Sequence, residues 1–263
     1  MPKIHVKSTE YYYEIHGRGH PLVLISGFAG DHTSWNPIKE ALARHFQVIA
    51  IDNRGSGQTI DKGEELSAEL MADDMAELIH LLHLKKPHVM GQSMGGAIAQ
   101  SLASRYGDRM GKLILLMTTA KWRKAVLLSL ASQIQMIEKK MPFEEIFPIM
   151  ISWIYGESFL RNHKKIEELK KDMAAKQHPQ SLENKKRQFK VLEKFNGIQD
   201  LHKISSKTLV IYGKEDIAVL PECAKSTASL IPHVEIIGCA CGHGIMREMP
   251  EQLSEIVIQF LSA

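Results

Sequence analysis

The residues Gly91-Gln92-Ser93-Met94-Gly95 set one hydroxyl between glycines, directly after the apolar stretch "HVM" at 88–90. A surface loop has no need of that spacing, and a strand would be weakened by it. A nucleophilic serine does need it. A sharp strand-to-helix turn holds such a serine in a strained backbone conformation, with Oγ projecting from the C-terminal edge of a sheet. Glycines two residues before and two after leave room where a Cβ would clash with neighbouring backbone. A helix beginning after Ser93 also directs free N–H groups and its positive end toward any oxyanion formed there. The pattern occurs in plain Gly- and Ser-rich loops too, but here a strand precedes it and an amphipathic stretch, "GGAIAQSLASRYG" at 95–107, follows.

A serine hydroxyl is a weak nucleophile at neutral pH and requires a base, normally histidine oriented by a carboxylate. The chain has 13 histidines, so position decides. His243, in "CACGHGIMREMP", falls between the last apolar run and the last helical pattern, at the same sheet edge as Ser93. His20, His80, His83 and His163 read as surface residues. For the acid, "TLVIYGKEDIAVLP" offers Asp216 three residues beyond its strand, with Glu215 as the adjacent competitor. The other suitable loop, "TTAKWRK", has no carboxylate. The oxyanion of a tetrahedral intermediate needs donors as well. Met94 N–H is one candidate, and Phe28 N–H, beside Gly27 in "SGFAGDHTSW", is the other.

These groups need elements to position them. Apolar runs at 21–26, 46–51, 88–91, 112–117, 208–213 and 234–238 read as strands covered on both faces, as in a parallel sheet. "KIHVKS" and "YYYEIHG" alternate as a hairpin would. Helical patterns at 67–84 and 95–107 and a closing "PEQLSEIVIQFLSA" alternate with the strands. The expected fold class is therefore α/β, a mostly parallel, doubly wound sheet. Residues 121–195 break the alternation with helical pattern alone, and read as a helical cap inserted into a core formed by 1–120 and 196–263.

With these motifs the chain resembles the α/β-hydrolase fold superfamily along essentially its whole length. "GQSMGG" matches its nucleophile elbow, "GKEDIAVLP" its acid loop and "CGHGIMREMPEQL" its histidine loop. "DNRGSGQT" at 52–59 resembles a turn in which Asp52 and Arg54 are structural. The family often has His-Gly where this chain has Ser26-Gly27, and Ser where it has Thr59. Serine rather than aspartate at the elbow disfavours haloalkane dehalogenases and epoxide hydrolases. The resemblance implies a capped serine hydrolase of carboxylic esters or lactones, akin to enol-lactonases, aminoacrylate hydrolases and esterases of carrier-bound pimeloyl esters. It implies no cofactor. An acyltransferase, a perhydrolase or a low-turnover receptor would use the same fold.

Other features have plain readings beside functional ones. Cys239, Cys241 and His243 have ligand-type spacing, but no second cluster completes a zinc set, and no metal is expected. Residues 121–194 hold 16 Lys and Arg against 9 Asp and Glu, a net +7 in a chain of +3, which leaves −4 elsewhere. Paired lysines at 139–140, 164–165, 170–171 and 185–186 form either a solvated face or a dock for an acidic carrier protein. Met150 and Trp153, with Gly27, are candidates for the pocket lining around a small ester or acyl substrate. The net charge is too small to argue for nucleic acid. Three cysteines and no apolar leader or span point to a reduced, cytoplasmic setting without membrane association.

Overall fold

In a computed structural model, which describes residues 2–263, the chain opens with a hairpin. Strand β1 (Lys3–Val6) pairs antiparallel with β2 (Thr9–His16), Ile4 facing Tyr11. Strand β3 (His20–Ile25), helix α1 (Asn36–Ala43) and strand β4 (Phe46–Ile51) follow. Then helices and strands alternate: α2 (Ala68–Leu81), β5 (His88–Gln92), α3 (Met94–Tyr106) and β6 (Leu113–Leu116). After a long helical insertion come β7 (Thr208–Gly213), α9 (Pro221–Ala228), β8 (Val234–Cys239), the short α10 (Ile245–Glu248) and α11 (Pro250–Ser262). The eight strands form one sheet in the order β1-β2-β4-β3-β5-β6-β7-β8, and every pairing from β4 through β8 is parallel.

Alternation along each strand divides the core between two faces. Val23, Ile25, Val89 and Leu115 pack with Met71, Met75, Ile98 and Leu102 of α2 and α3. Leu22, Leu24, Met90 and Leu116 pack instead with Ile38 and Leu42 of α1 and with Leu253, Val257 and Phe260 of α11. Each such side chain taken fully from water contributes about 1.5–3 kcal/mol, so both faces of the central strands are committed. Strand β8 departs from the expectation of two covered faces. It is the sheet's edge, and Ile236 and Ile237 remain 43% and 36% exposed. Among the described residues no helix is long and apolar enough to cross a membrane.

The insertion lies between β6 and β7 and comprises α4 (Lys124–Glu138), α5 (Phe143–Ile154), α6 (Glu157–Leu160), α7 (His163–Ala174) and α8 (Leu182–Lys194). Phe147, Ile151, Phe159 and Leu169 give it a small core of its own. Its ends meet. Lys121 and Asn196 form an antiparallel bridge, and Gly197 N–H donates to Ala120 O at 2.8 Å.

The parallel register brings the C-terminal ends of the central strands to one edge. Ile25 lies beside Gly91, and Gln92 beside Leu116. Loops leaving β3, β5, β7 and β8 therefore converge there.

Candidate active site

Ser93 stands between β5 and α3 at φ 55°, ψ −118°, a conformation that residues with a Cβ seldom adopt. Local packing holds it. Ser93 N–H donates to Leu116 O at 2.9 Å, and Ser93 O accepts from Thr118 Oγ1 at 2.8 Å. The flanking glycines are spatially required. A Cβ on Gly91 would overlap the Gly95 carbonyl oxygen, and one on Gly95 would overlap the Ile25 carbonyl oxygen.

Asp216 follows β7 and is buried. Its Oδ1 accepts from Ala218 N–H and Val219 N–H, each at 2.8 Å, so the turn fixes the carboxylate. The free oxygen, Oδ2, lies 2.7 Å from His243 Nδ1. On the other side of the imidazole, His243 Nε2 lies 2.9 Å from Ser93 Oγ. A proton on Nδ1 donated to Asp216 leaves the Nε2 lone pair to accept from the serine hydroxyl. Burial opposes the imidazolium, but the charge and hydrogen bond of Asp216 outweigh it and raise the His243 pKa above its ordinary value. Glu215 turns away, accepting Glu157 N–H of α6 at 2.8 Å.

Gly27 abuts the serine: a Cβ there would lie 3.0 Å from Ser93 Cβ. Ser26, standing where histidine is common in the superfamily, anchors this loop. Its Oγ accepts Trp35 Nε1–H at 2.8 Å and donates to Asp31 O at 2.9 Å, while its carbonyl accepts from Asn53 Nδ2 at 2.8 Å. Among the described residues neither Phe28 N–H nor Met94 N–H has a hydrogen-bond partner.

Asp52 is buried in a structural net. Its Oδ1 accepts His32 N–H at 2.7 Å, its Oδ2 accepts Gln58 N–H at 2.8 Å, and Thr59 Oγ1 donates to its carbonyl at 2.7 Å. Arg54 Nε donates to Asp74 at 2.5 Å. Asp31, His32 and Asp52 bring ligand-type atoms within 4.8 Å of one another. All are engaged already: His32 Nδ1 with Asp52 at 2.8 Å, Asp31 with Thr33 N–H at 3.0 Å and Lys176 at 2.9 Å. Cys239 and Cys241 are free thiols, and burial pushes both up in pKa. His243 directs both nitrogens to Asp216 and Ser93, so the Cys-x-Cys-x-His spacing brings no third ligand nitrogen to the thiols.

The two pocket candidates on α5 separate. Trp153 packs against the cluster that holds Phe28 and Met94, whereas Met150 packs in the insertion's own small core with Phe147 and Phe159. Sequence reasoning missed two residues that secure the loops carrying His243 and Phe28. Glu248 accepts Gly242 N–H and Gly156 N–H, each at 3.0 Å, and so joins the His243 loop to the start of α6. Gln188 of α8 accepts Ala29 N–H at 3.0 Å. Neither carries a local signal, since each partner is distant in sequence or a backbone group.

Comparison with known proteins defines the class. A family model described as alpha/beta hydrolase fold matches residues 20–246, and the chain belongs to that family. It is a hydrolase of the α/β-hydrolase fold superfamily. "Putative carbamate hydrolase RutD" of Agrobacterium fabrum is 29% identical over 262 residues, covering 95% of this chain and 97% of that one. A thermophilic esterase from Thermogutta terrifontis superposes with a TM-score of 0.86 at 28% identity, over 100% of this chain and 98% of that one. The enol-lactonase of Burkholderia xenovorans superposes with a TM-score of 0.88 at 22% identity, covering 100% of both chains. At that identity the likeness is one of fold.

Proposed function

We propose that the protein is a serine hydrolase that cleaves carboxylic esters or lactones through an acyl-enzyme. The observation that carries this reading is the continuous chain Asp216–His243–Ser93, with contacts of 2.7 and 2.9 Å ending on a hydroxyl held at a strained elbow. His243 Nε2 takes the Ser93 proton as Oγ attacks the carbonyl carbon. Phe28 N–H and Met94 N–H receive the oxyanion; loss of one such donor typically lowers turnover about 100- to 1000-fold. The imidazolium returns its proton to the leaving alkoxide, giving the alcohol and the Ser93 acyl ester. Water, deprotonated by His243, then attacks that ester; the acid leaves and Ser93 regains its proton. Asp216 holds the imidazole tautomer and stabilises its cation. The reading requires no cofactor.

Initial rates on p-nitrophenyl esters of graded acyl length, with a p-nitrophenyl carbamate included because of the RutD relatives, test it. The expected result is turnover by the native protein that Ser93→Ala abolishes, with an optimum at one acyl length. Equal rates for the two proteins on every substrate would remove the reading.

A second reading, an acyl ester presented on an acidic carrier protein, is favoured by one observation. Lys164, Lys165, Lys170 and Lys171 on α7 form no ion pair among the described residues. Salt-sensitive kcat/KM on a carrier-bound ester, absent with the free ester, is its expected signature.

A further inference from the structure

Ala29, one residue past Phe28, lies at φ 58°. In this left-handed region a residue with a Cβ costs roughly 1–2 kcal/mol relative to ordinary helical backbone, so the turn must be held from outside. Gly30 N–H closes it on Gly27 O at 3.1 Å. Both polar backbone groups of Ala29 are taken by the helical insertion. The N–H donates to Gln188 Oε1 at 3.0 Å, and the carbonyl accepts from Lys176 Nζ at 3.3 Å.

Gln188 is fully buried, at 0% exposure. Its amide nitrogen donates to Arg54 O and to Ser56 Oγ, each at 2.8 Å. A reversed amide would set nitrogen against the Ala29 N–H and oxygen against the Arg54 carbonyl, so its orientation is fixed by its partners. Lys176 is tied in turn to Asp31 Oδ2 at 2.9 Å. One glutamine thus joins α8, the 54–56 turn and the loop that carries Phe28.

We propose that Gln188, supported by Lys176, is a positioning residue of the oxyanion hole: the seated insertion clamps Ala29 in its left-handed conformation and thereby aims Phe28 N–H at the reacting carbonyl oxygen. This rests on the Ser93 mechanism proposed above. It makes the insertion part of the rate-enhancing machinery. Lifting α8 withdraws a donor at the same moment that it opens the site.

Gln188→Met keeps the side chain's bulk and removes all three hydrogen bonds. The expected result is a fall in kcat of about 10- to 100-fold with KM within about twofold, as for an interaction made only in the transition state. Affinity for a trifluoromethyl ketone, whose adduct places an oxyanion in the hole, falls by a matching factor. Adding Ala29→Gly is expected to restore kcat several-fold, because glycine adopts positive φ without a Cβ penalty. A role in stability alone would lower the melting temperature and leave kcat of the folded protein unchanged. That result, or a loss confined to KM, overturns the proposal. Should Gln188→Met not fold, Lys176→Met at the partly exposed end of the clamp is expected to lower kcat about threefold at constant KM; an unchanged kcat there overturns it equally. Ser93→Ala separates the two ideas. Turnover that survives Ser93→Ala sinks the mechanism, whereas Ser93-dependent turnover with native kcat in Gln188→Met sinks only the clamp.

Discussion

Glu215 accepts the backbone N–H of Glu157 at 2.8 Å, so one carboxylate of the acid loop is committed to the start of α6. Its neighbour Asp216 is buried and meets His243 Nδ1 at 2.7 Å. Asp216→Asn is expected to lower kcat by about 1,000- to 10,000-fold, since an amide can favour the wrong histidine tautomer. The fold should persist, because the asparagine oxygen can still accept from Ala218 and Val219. Glu215→Gln should change kcat no more than a few-fold. Steady-state rates with circular dichroism on both variants decide between these two carboxylates.

The pH profile follows from the raised His243 pKa. In the proposed mechanism the imidazole serves as a base only when neutral, so kcat/KM is expected to fall as pH drops through its folded-state pKa. The acid limb is expected above the ordinary histidine value of 6.5. In Asp216→Asn the limb should move down, because burial is then opposed only by the smaller pull of Glu248. The linked stability has the opposite sense. The contribution of a raised histidine pKa is fully present below the unfolded value and is lost as pH rises through the folded one. Rate profiles and urea midpoints across that window test both signs.

Glu248→Ala would leave the Gly242 and Gly156 N–H groups without their acceptor. Unfolding in urea is expected to show a loss of about 1–3 kcal/mol, and kcat should fall because Gly242 adjoins His243. Glu248→Gln retains an acceptor oxygen and should lose less of both.

Gly95→Ala places a methyl group against the Ile25 carbonyl oxygen, where the elbow packs on β3. Overpacking of this kind costs typically about 1–3 kcal/mol, and here relief requires moving Ser93 itself. A lower melting temperature together with at least tenfold slower turnover is the expected pair. Lower stability with native turnover would mean that the elbow tolerates displacement.

The interior strands are legible from sequence because both of their faces are apolar. Strand β8 reads the same way yet stays half exposed: its apolar run records β-branched preference, while edge position decides coverage. Ser93 is legible from the glycines and elements beside it, and His243 from its place between strand and helix. The divergence of Glu215 and Asp216 is a matter of side-chain direction, which loop position does not encode. Gln188 is wholly hidden. It sits in "ENKKRQFKVLEK", a stretch that reads as a solvated helix, and its burial comes from partners 134 and 159 positions away. A polar side chain enters the interior there only because folded loops supply its hydrogen bonds.

The bridge between Lys121 and Asn196 means that the polypeptide leaves the sheet and returns at one point. The helical insertion behaves topologically as a cassette: a longer, shorter or foreign segment could be spliced at that doorway without disturbing sheet register. On the proposal made above, such a graft would have to bring its own counterpart of Gln188, because a replacement that does not grip Ala29 is expected to inherit the scaffold and lose the speed.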